Sequence, residues 1–578
     1  MIRLIETIIF RARVLILAAI GVFTIWMGYY AAQLRMDAGY YKQLPIGNEA
    51  VDWFVQKTGT SGIMPFTDGH PFVKTFLQYQ DRLFGANRVI FVLRNKRADT
   101  GPEQFRTPKD DSETIFNKEF MTELKLLTDE VFYLPGIDRK TVTSLWTPNT
   151  RILEITEDGI TARDVIPGKV TPEEMVGPAI DQLKNDVIKG NLVGRLVSND
   201  FTASMVVAEL LEFDVKTQTK LDYFDLAHKL ESEIRGKHEK GDFQVHIIGF
   251  AKAIGEIADG ATTVILFFFI AMLLTVASVY YYCRDLKLTF LTVGCSATSV
   301  VWQFGALTVL GYGLDPLAVL VPFLVFAIGV SHGIQQLNLQ TAELAHGATP
   351  EEAARSSFRG LLIPGSLSLV TAVVGFAALY IVPIPQIEEL AVTASLGVAM
   401  KIITNLFMYP LIASFFTYNT DYQATVSGAR DARLGLMSYL GIFGEPRVAM
   451  LTTAVFFGLF VYAVQKSNER HVGDLHPGAP ELKESARYNV DSRIVAQKFS
   501  IGLDLMTVII ETPPLACVNY QYMKYMNEFS WFMRNQPGVR DVQSTAFLAK
   551  QINAGWYEGN LKWRDLPRNQ FALVQATG

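Results

Sequence analysis

This sequence is short of charge and of cysteine. Asp, Glu, Lys and Arg together make up 19% of its 578 residues, below the usual share of a soluble domain. Basic residues number 52 and acidic residues 57, a formal net charge of -5, so nothing in the balance indicates nucleic acid as a partner. The three cysteines, Cys283, Cys295 and Cys517, stand far apart, which excludes a disulfide framework and a clustered metal site. No glycine loop ends in Gly-Lys-Ser or Gly-Lys-Thr, which excludes a phosphate-driven engine of that kind. No cofactor, metal or catalytic group is indicated, and the remaining energy sources are an ion gradient or a partner.

What the chain has is apolar length. Hydrophobic residues make up 49% of it, and the mean hydropathy is +0.21. A helix crosses the hydrocarbon of a bilayer with about 20 apolar residues, because only internal hydrogen bonds can satisfy its backbone there. Seven stretches qualify: 14–34, 261–282, 288–311, 316–339, 361–381, 390–416 and 448–464. The first lacks a small-residue cleavage site and ends in Trp26, Tyr29 and Tyr30, an interfacial anchor, so it reads as a retained helix.

Arginine and lysine mark one set of short connections. Arg3, Arg11 and Arg13 precede the first span, Arg284 and Lys287 join the second and third, Arg355 and Arg359 join the fourth and fifth, and Arg430, Arg433 and Arg447 precede the seventh. The opposite loops, 311–316 and 382–389, carry neither residue. The positive-inside rule then puts the N-terminus in the cytoplasm and two long segments outside. The domain plan is 1–34 for the N-terminus and first span, 35–260 for a first outer domain, and 261–417 for five clustered helices. A cytoplasmic linker (418–447), a seventh span (448–466) and a second outer domain (467–578) complete it.

The order of features repeats. Arg13-Val14, Leu44-Pro45, Phe84-Gly85, an apolar strand at 88–93 and Pro135-Gly136 are echoed by Arg447-Val448, Leu475-His476-Pro477-Gly478, Ile501-Gly502, a strand at 505–510 and Pro537-Gly538. Internal duplication is the mark of a two-half transporter. A full second copy would place five more helices after residue 578, so the chain reads as truncated. Within the first outer domain, 88–93, 141–146, 192–211 and 243–249 predict strands, and 117–132 and 220–239 predict helices, an α+β sandwich. The stretches 97–113 and 147–172 predict loops.

The chain resembles the resistance-nodulation-division superfamily, in particular MmpL-like exporters with a sterol-sensing-domain-like bundle of helices two to six. The resemblance is carried by the topology and by Gly329-Val330-Ser331-His332-Gly333-Ile334, Thr371, Gly375-Phe376, Gly397, Pro410 and the segment 473–482. It implies a polytopic α-helical protein of the bacterial inner membrane with ferredoxin-like β-α-β periplasmic domains. It also implies outward movement of lipids or other hydrophobic molecules on the proton gradient, as a homo-oligomer or with periplasmic accessory proteins. Members commonly carry Asp where this chain has Ser331.

Polar residues inside the spans are the candidate machinery, since each is costly in hydrocarbon unless paired or wetted. Ser331, Gln335 and Asn338 share one face of the fourth span beside His332, and Lys401 lies midway along the sixth between Gly397 and Asn405. Ser331, His332, Lys401 and Asn405 form a candidate proton relay, with His332 and Lys401 expected to meet across the bundle. Gly329, Gly333, Thr371, Gly375, Ala378 and Gly397 read as helix-packing positions, and Pro322, Pro364 and Pro410 as kinks. Glu388 and Glu389 stand at the outer mouth of the sixth span, as solvated interfacial charges or as a proton entry, and Phe72, Phe76 and Tyr79 fit an apolar core or route. A lipid sensor or scaffold using the same bundle without transport is the alternative reading, and assistance to protein translocation is a third.

Overall fold

The apolar stretches fold as helices in the computed structural model; most run longer than expected, while the first ends earlier, at Ala31, and the third is shifted without lengthening. The structure describes residues 2–37, 40–58, 67–79, 87–101, 103–156, 159–211, 221–418, 422, 428, 435, 437–470, 473, 478–479, 481–500 and 506–577. Phe84, Gly85, Arg430, Arg433, Leu475, His476, Pro477, Ile501, Gly502 and Leu505 lie outside the described residues. Seven helices are long and apolar enough to cross a membrane: Arg13–Ala31, Phe250–Cys283, Leu286–Val309, Ala318–Ala345, Pro350–Ile381, Pro385–Ala413 and Pro446–Ser467, called spans one to seven.

Their ends follow from local chemistry. Asp285 accepts the Leu288 amide at 2.8 Å and starts span three after Arg284, whose positive φ of 54° turns the chain. Thr349 and Glu352 form a capping box at span five, with Pro350 in the first turn. Pro322 occupies the first turn of the α-helical part of span four, Val321–Ala345, which follows a 3-10 turn at Pro316–Leu320, so it starts an α-helix rather than kinking one. Pro364 lies inside span five, and Pro410 follows a π-helical stretch, Ile402–Met408, within span six.

The residues divide into two compact units: 1–79 with 258–473, and 80–257 with 474–578. The first holds all seven spans, apart from the opening turns of span two. Residues 35–79, expected with the first outer domain, belong to this unit because backbone bonds tie them to it. Met36 bridges Leu314, the Asp37 amide donates to the Leu314 carbonyl at 3.1 Å, and the Gly47 amide donates to the Pro383 carbonyl at 3.4 Å. Three of the arginines used for orientation, Arg13, Arg355 and Arg359, are ion-paired. Arg13 meets Glu351 at 3.0 Å, Arg355 meets Glu351 at 2.8 Å, and buried Glu6 lies 3.4 Å from Arg355. Phe72, on the helix Pro71–Tyr79, is exposed, so it is not a core residue.

The second unit is built on a four-stranded antiparallel sheet. Its strands are β1 (Arg88–Asn95), β2 (Ile137–Thr143), β3 (Ala203–Leu210) and β4 (Phe243–Gly249), in the spatial order β2-β3-β1-β4. With a helix between β1 and β2 and another between β3 and β4, the sheet follows the β-α-β-β-α-β order expected of a ferredoxin-like unit, with a hairpin and the helix Pro178–Lys189 inserted between β2 and β3. Central β1 pairs Phe91 with Val206 on one side and with Ile247 on the other. The helix Lys118–Tyr133 buries Phe120, Leu124, Leu127 and Val131, each contributing about 1.5–3 kcal/mol of apolar burial.

Some expected elements differ. Residues 192–202 turn rather than extend, since Asn191 (φ 54°), Gly194 (φ 79°) and Phe201 (φ 59°) leave the extended region. The predicted loops contain two hairpins, Asp99–Gly101 with Gln104–Phe105 and Arg151–Thr156 with Gly159–Asp164. Residues 506–510 are not a strand; among the described residues no other strand satisfies their backbone. From the second long segment, helix Arg487–Lys498 packs on edge strand β4 and covers it. The helices Tyr520–Arg534, Thr545–Trp556 and Gln570–Thr577 close over Met523, Ala546, Ala549 and Leu573.

Candidate functional site

Spans three, four and six each present a line of polar or very small residues to one another. On span three the line is Thr289, Thr292, Ser296, Ser299 and Gln303; on span four it is Gly329, Gly333, Gln336 and Gln340; on span six it is Thr393, Gly397, Lys401, Thr404 and Asn405. All are buried, and the spacing of three and four residues puts each line on one helical face.

The glycines allow the helices to approach. A Cβ on Gly333 would stand 2.8 Å from Thr292 Cγ2, and one on Gly397 would stand 2.6 Å from Val325 Cγ2. A Cβ on Gly329 would collide with the ammonium of Lys401. Into this space Lys401 projects, fully buried, and its Nζ donates to the Ser296 carbonyl at 3.0 Å. Asn405 donates its amide to the Gly329 carbonyl at 2.7 Å, and Gln303 donates to the Thr393 carbonyl at 3.0 Å.

Two features set this seam apart from ordinary helix packing. Among the described residues no carboxylate forms an ion pair with Lys401. Several buried polar atoms also lack a protein partner: Gln303 Oε1, Asn405 Oδ1, Thr404 Oγ1 and both amide atoms of Gln336 and Gln340. Buried groups left in this state are uncommon and mark sites where water, an ion or chemistry is accommodated. The π-helical stretch that begins directly after Lys401 is a further departure of the type found at functional sites.

Of the residues singled out in the sequence, Lys401, Asn405, Gly329, Gly333 and Gly397 come together here. Ser331, Gln335 and Asn338 do not: they are exposed on the opposite side of span four, where Asn338 accepts from Tyr282 Oη at 2.8 Å. His332 is half-buried at the edge and within electrostatic reach of Lys401, with no hydrogen bond joining the two. Thr371, Gly375 and Ala378 face outward, and nothing lies within 4 Å of a Cβ on Gly375, so that stripe packs against no other helix of this chain among the described residues. Gln303, Gln336, Gln340 and Ser296 were missed, although Gly329, Gly333, Gln336 and Gln340 follow one line of helical spacing.

A second buried cluster ties helix Arg487–Lys498 to β4. Asp491, fully buried, accepts from His246 Nδ1 at 2.7 Å, Arg235 Nη2 at 2.7 Å, Arg487 Nε at 3.1 Å and the Ile247 amide at 3.1 Å. His246 Nε2 accepts from Arg94 Nε at 3.1 Å, which fixes the neutral tautomer. Burial alone would raise the Asp491 carboxyl, but the bond to His246 and the charges of Arg235 and Arg487 outweigh it and hold it at about 2. Burial pushes the His246 imidazole below its ordinary value, against the pull of Asp491. This cluster is a fastening; it has no open access and no orphaned atom of Asp491 or His246. Among the described residues no group of three or more His, Cys, Asp or Glu could hold a metal.

No protein-family model matches the sequence. A protein of Methanocaldococcus jannaschii named "Putative membrane protein MJ1562" is 21% identical over 407 residues, covering 69% of this chain and 89% of that protein. With the seven apolar helices, this similarity makes the chain a membrane protein with transmembrane helices.

Proposed function

We propose that this membrane protein is a proton-driven exporter of the resistance-nodulation-division type for hydrophobic or lipid-like molecules, with Lys401 as the group that takes up and releases the proton. The observation that carries this reading is a fully buried lysine with no carboxylate partner among the described residues, in a seam of orphaned polar atoms. A charge at the centre of a bilayer costs about 2.5–3.5 kcal/mol on insertion scales and persists where it works. Of the long cationic side chains, lysine, unlike arginine, can lose its proton when taken out of water. Its ammonium is met by the Ser296 carbonyl, and the polar lines continue about two to three turns away to Gln303 on span three and to Gln336 and Gln340 on span four.

In this reading the sandwich unit lies on the periplasmic side of a bacterial inner membrane, as the arginine-rich connections suggest, and takes substrate from the lipid. The β-α-β-β-α-β connectivity of that unit supports the likeness to such exporters. Proton movement past Lys401 would bias the bundle between two arrangements and so drive the outer unit.

The test is reconstitution of the chain in liposomes with a trapped pH dye and a hydrophobic fluorescent substrate. An inward proton gradient should drive both proton uptake and substrate movement. Lys401→Met and Lys401→Arg should each abolish both, the arginine because it keeps its proton. Unchanged coupled movement in Lys401→Met would end the proposal. Substrate binding without movement in the unaltered chain would favour the lipid-sensing alternative.

A further inference from the structure

One end of the polar seam is closed by an ion pair that the bundle's own packing does not require. Lys42, on the short helical turn Tyr40–Gln43, reaches Glu389 at 2.7 Å and Asp37 at 2.7 Å. The Lys42 and Glu389 side chains are 17% and 15% exposed, so water screens this pair only in part. The strand of chain that carries Lys42 is pinned on both sides, at Asp37 to Leu314 and at Gly47 to Pro383, and crosses the start of span six between those points.

Below Glu389 the same face of span six continues through Thr393 and Gly397 to Lys401, one residue every turn. Thr393 Oγ1 donates to the Glu389 carbonyl at 2.7 Å, and the Thr393 carbonyl accepts from Gln303 at 3.0 Å. Gly397 lies flush against the Gln303 amide, whose Oε1 is fully buried with no protein partner. Each turn between the ion pair and Lys401 therefore offers a hydrogen-bonding group, and one of those groups is waiting for a donor.

We infer that Lys42 and Glu389 form a latch over the mouth of the seam, and that neutralising Glu389 by a proton releases Lys42 and opens the way to Lys401. The inference rests on the proton-driven reading and gives that reading its entry point. The charged groups facing Glu389 are Lys42 and Asp37 from the crossing segment, Asp315 from the turn between spans three and four, and Glu388 beside Asn48 on its own helix. Asp315 is buried and held by Gln386 at 2.7 Å. Glu389 thus has one ammonium and three other carboxyl groups around it, and Lys42 itself pairs with Glu389 and Asp37. Protonating Glu389 leaves Lys42 to Asp37 and removes a like-charge neighbour of Asp37 and Asp315, so the latch has a favourable open arrangement.

The test reads access, apart from transport. Thr393→Cys is placed in the full chain with Cys283→Ala and Cys295→Ala, leaving exposed Cys517 as an internal reference, in lipid nanodiscs at one fixed pH. The rate of modification at 393 by a charged thiosulfonate, relative to Cys517, should be slow. Lys42→Met and Glu389→Gln should each raise it about tenfold, the double variant should react no faster than either single one, and Lys42→Arg should stay slow. If Lys42→Met and Glu389→Gln both react at the parent rate, or if 393 reacts rapidly in the parent, the latch is overturned. Glu389→Gln, nearly isosteric, serves if Lys42→Met does not fold. Failure of the proton-driven reading shows separately, as proton uptake unchanged in Lys401→Met.

Discussion

The ammonium of Lys401 occupies the space into which any side chain on Gly329 would grow. Helical propensity alone favours alanine over glycine by about 0.5–1 kcal/mol. At this position the collision with Lys401, and with Ser296 Oγ at 2.8 Å, should outweigh that gain by overpacking worth about 1–3 kcal/mol. Gly329→Ala should lower the thermal midpoint of the purified protein and, on the proton-driven proposal, abolish the proton uptake assigned to Lys401. Gly375→Ala, in open surroundings, should do neither, and equal behaviour of the two variants would contradict the close approach of spans four and six.

Asp491 gathers three side-chain donors and one backbone donor where no water reaches. Removing its charge takes from Arg235 and Arg487 their shared buried counter-charge, a loss of about 3–5 kcal/mol for a buried network. Asp491→Asn should raise amide hydrogen exchange in β4 and in helix Arg487–Lys498 together, while exchange in spans three, four and six stays as it was. Exchange confined to one of the two elements would argue against the fastening.

The same cluster sets a pH dependence. His246 is held neutral, its folded value pushed below 6.5 by burial, so its contribution to stability is complete above 6.5 and declines as pH falls below it. Asp491, held at about 2, contributes fully above its ordinary 3.8 and is lost only as pH falls from there toward about 2. Between pH 7 and pH 5, exchange protection of helix Arg487–Lys498 should therefore weaken through His246 alone. His246→Asn should start from lower protection and show a flatter profile over that range; an unchanged slope would assign the titration elsewhere.

Two further ion pairs on that helix differ in burial and should differ in worth. Lys498, 4% exposed, meets Asp200 at 2.5 Å and Thr202 Oγ1 at 2.9 Å, with its charge 3.9 Å from the centre of the Phe105 ring. Arg493 grips Glu103 with two bonds, at 2.8 and 3.1 Å, but both side chains are near 30% exposed. Lys498→Met should cost about 1–3 kcal/mol, discounted because Asp200 is partly solvated, and Arg493→Ala less than about 1 kcal/mol. Protection factors of helix Arg487–Lys498 measure both, and a reversed order would refute the ranking.

Much of this architecture is legible residue by residue. Apolar length has one physical outcome in a chain that must cross hydrocarbon, so the spans stand close to where the sequence put them, with ends shifted by a few residues or, for several, extended. Strands at 88–93 and 243–249 are equally plain, because short apolar runs rich in β-branched residues, Val89, Ile90 and Val92 in one and Val245, Ile247 and Ile248 in the other, suit a buried strand. Lys401 was visible as an ionisable residue midway along an apolar run. Its neighbours were harder. Helical spacing groups Ser331 with Gln335 and Asn338 and, as readily, Gly329 with Gly333, Gln336 and Gln340; it does not say which group faces inward.

By itself the sequence determined which segments leave water, where they start and stop, and which rare polar residues they carry, since transfer from water and local capping depend on the neighbouring few residues. Which face of each helix is covered, that Gly329 makes room for Lys401, that Gln303 is left with an unmet oxygen, and that Lys42 closes over Glu389 were decided only in the folded bundle. Those relations join residues tens to hundreds of positions apart, and close packing chooses among alternatives that a periodic pattern leaves equal in energy.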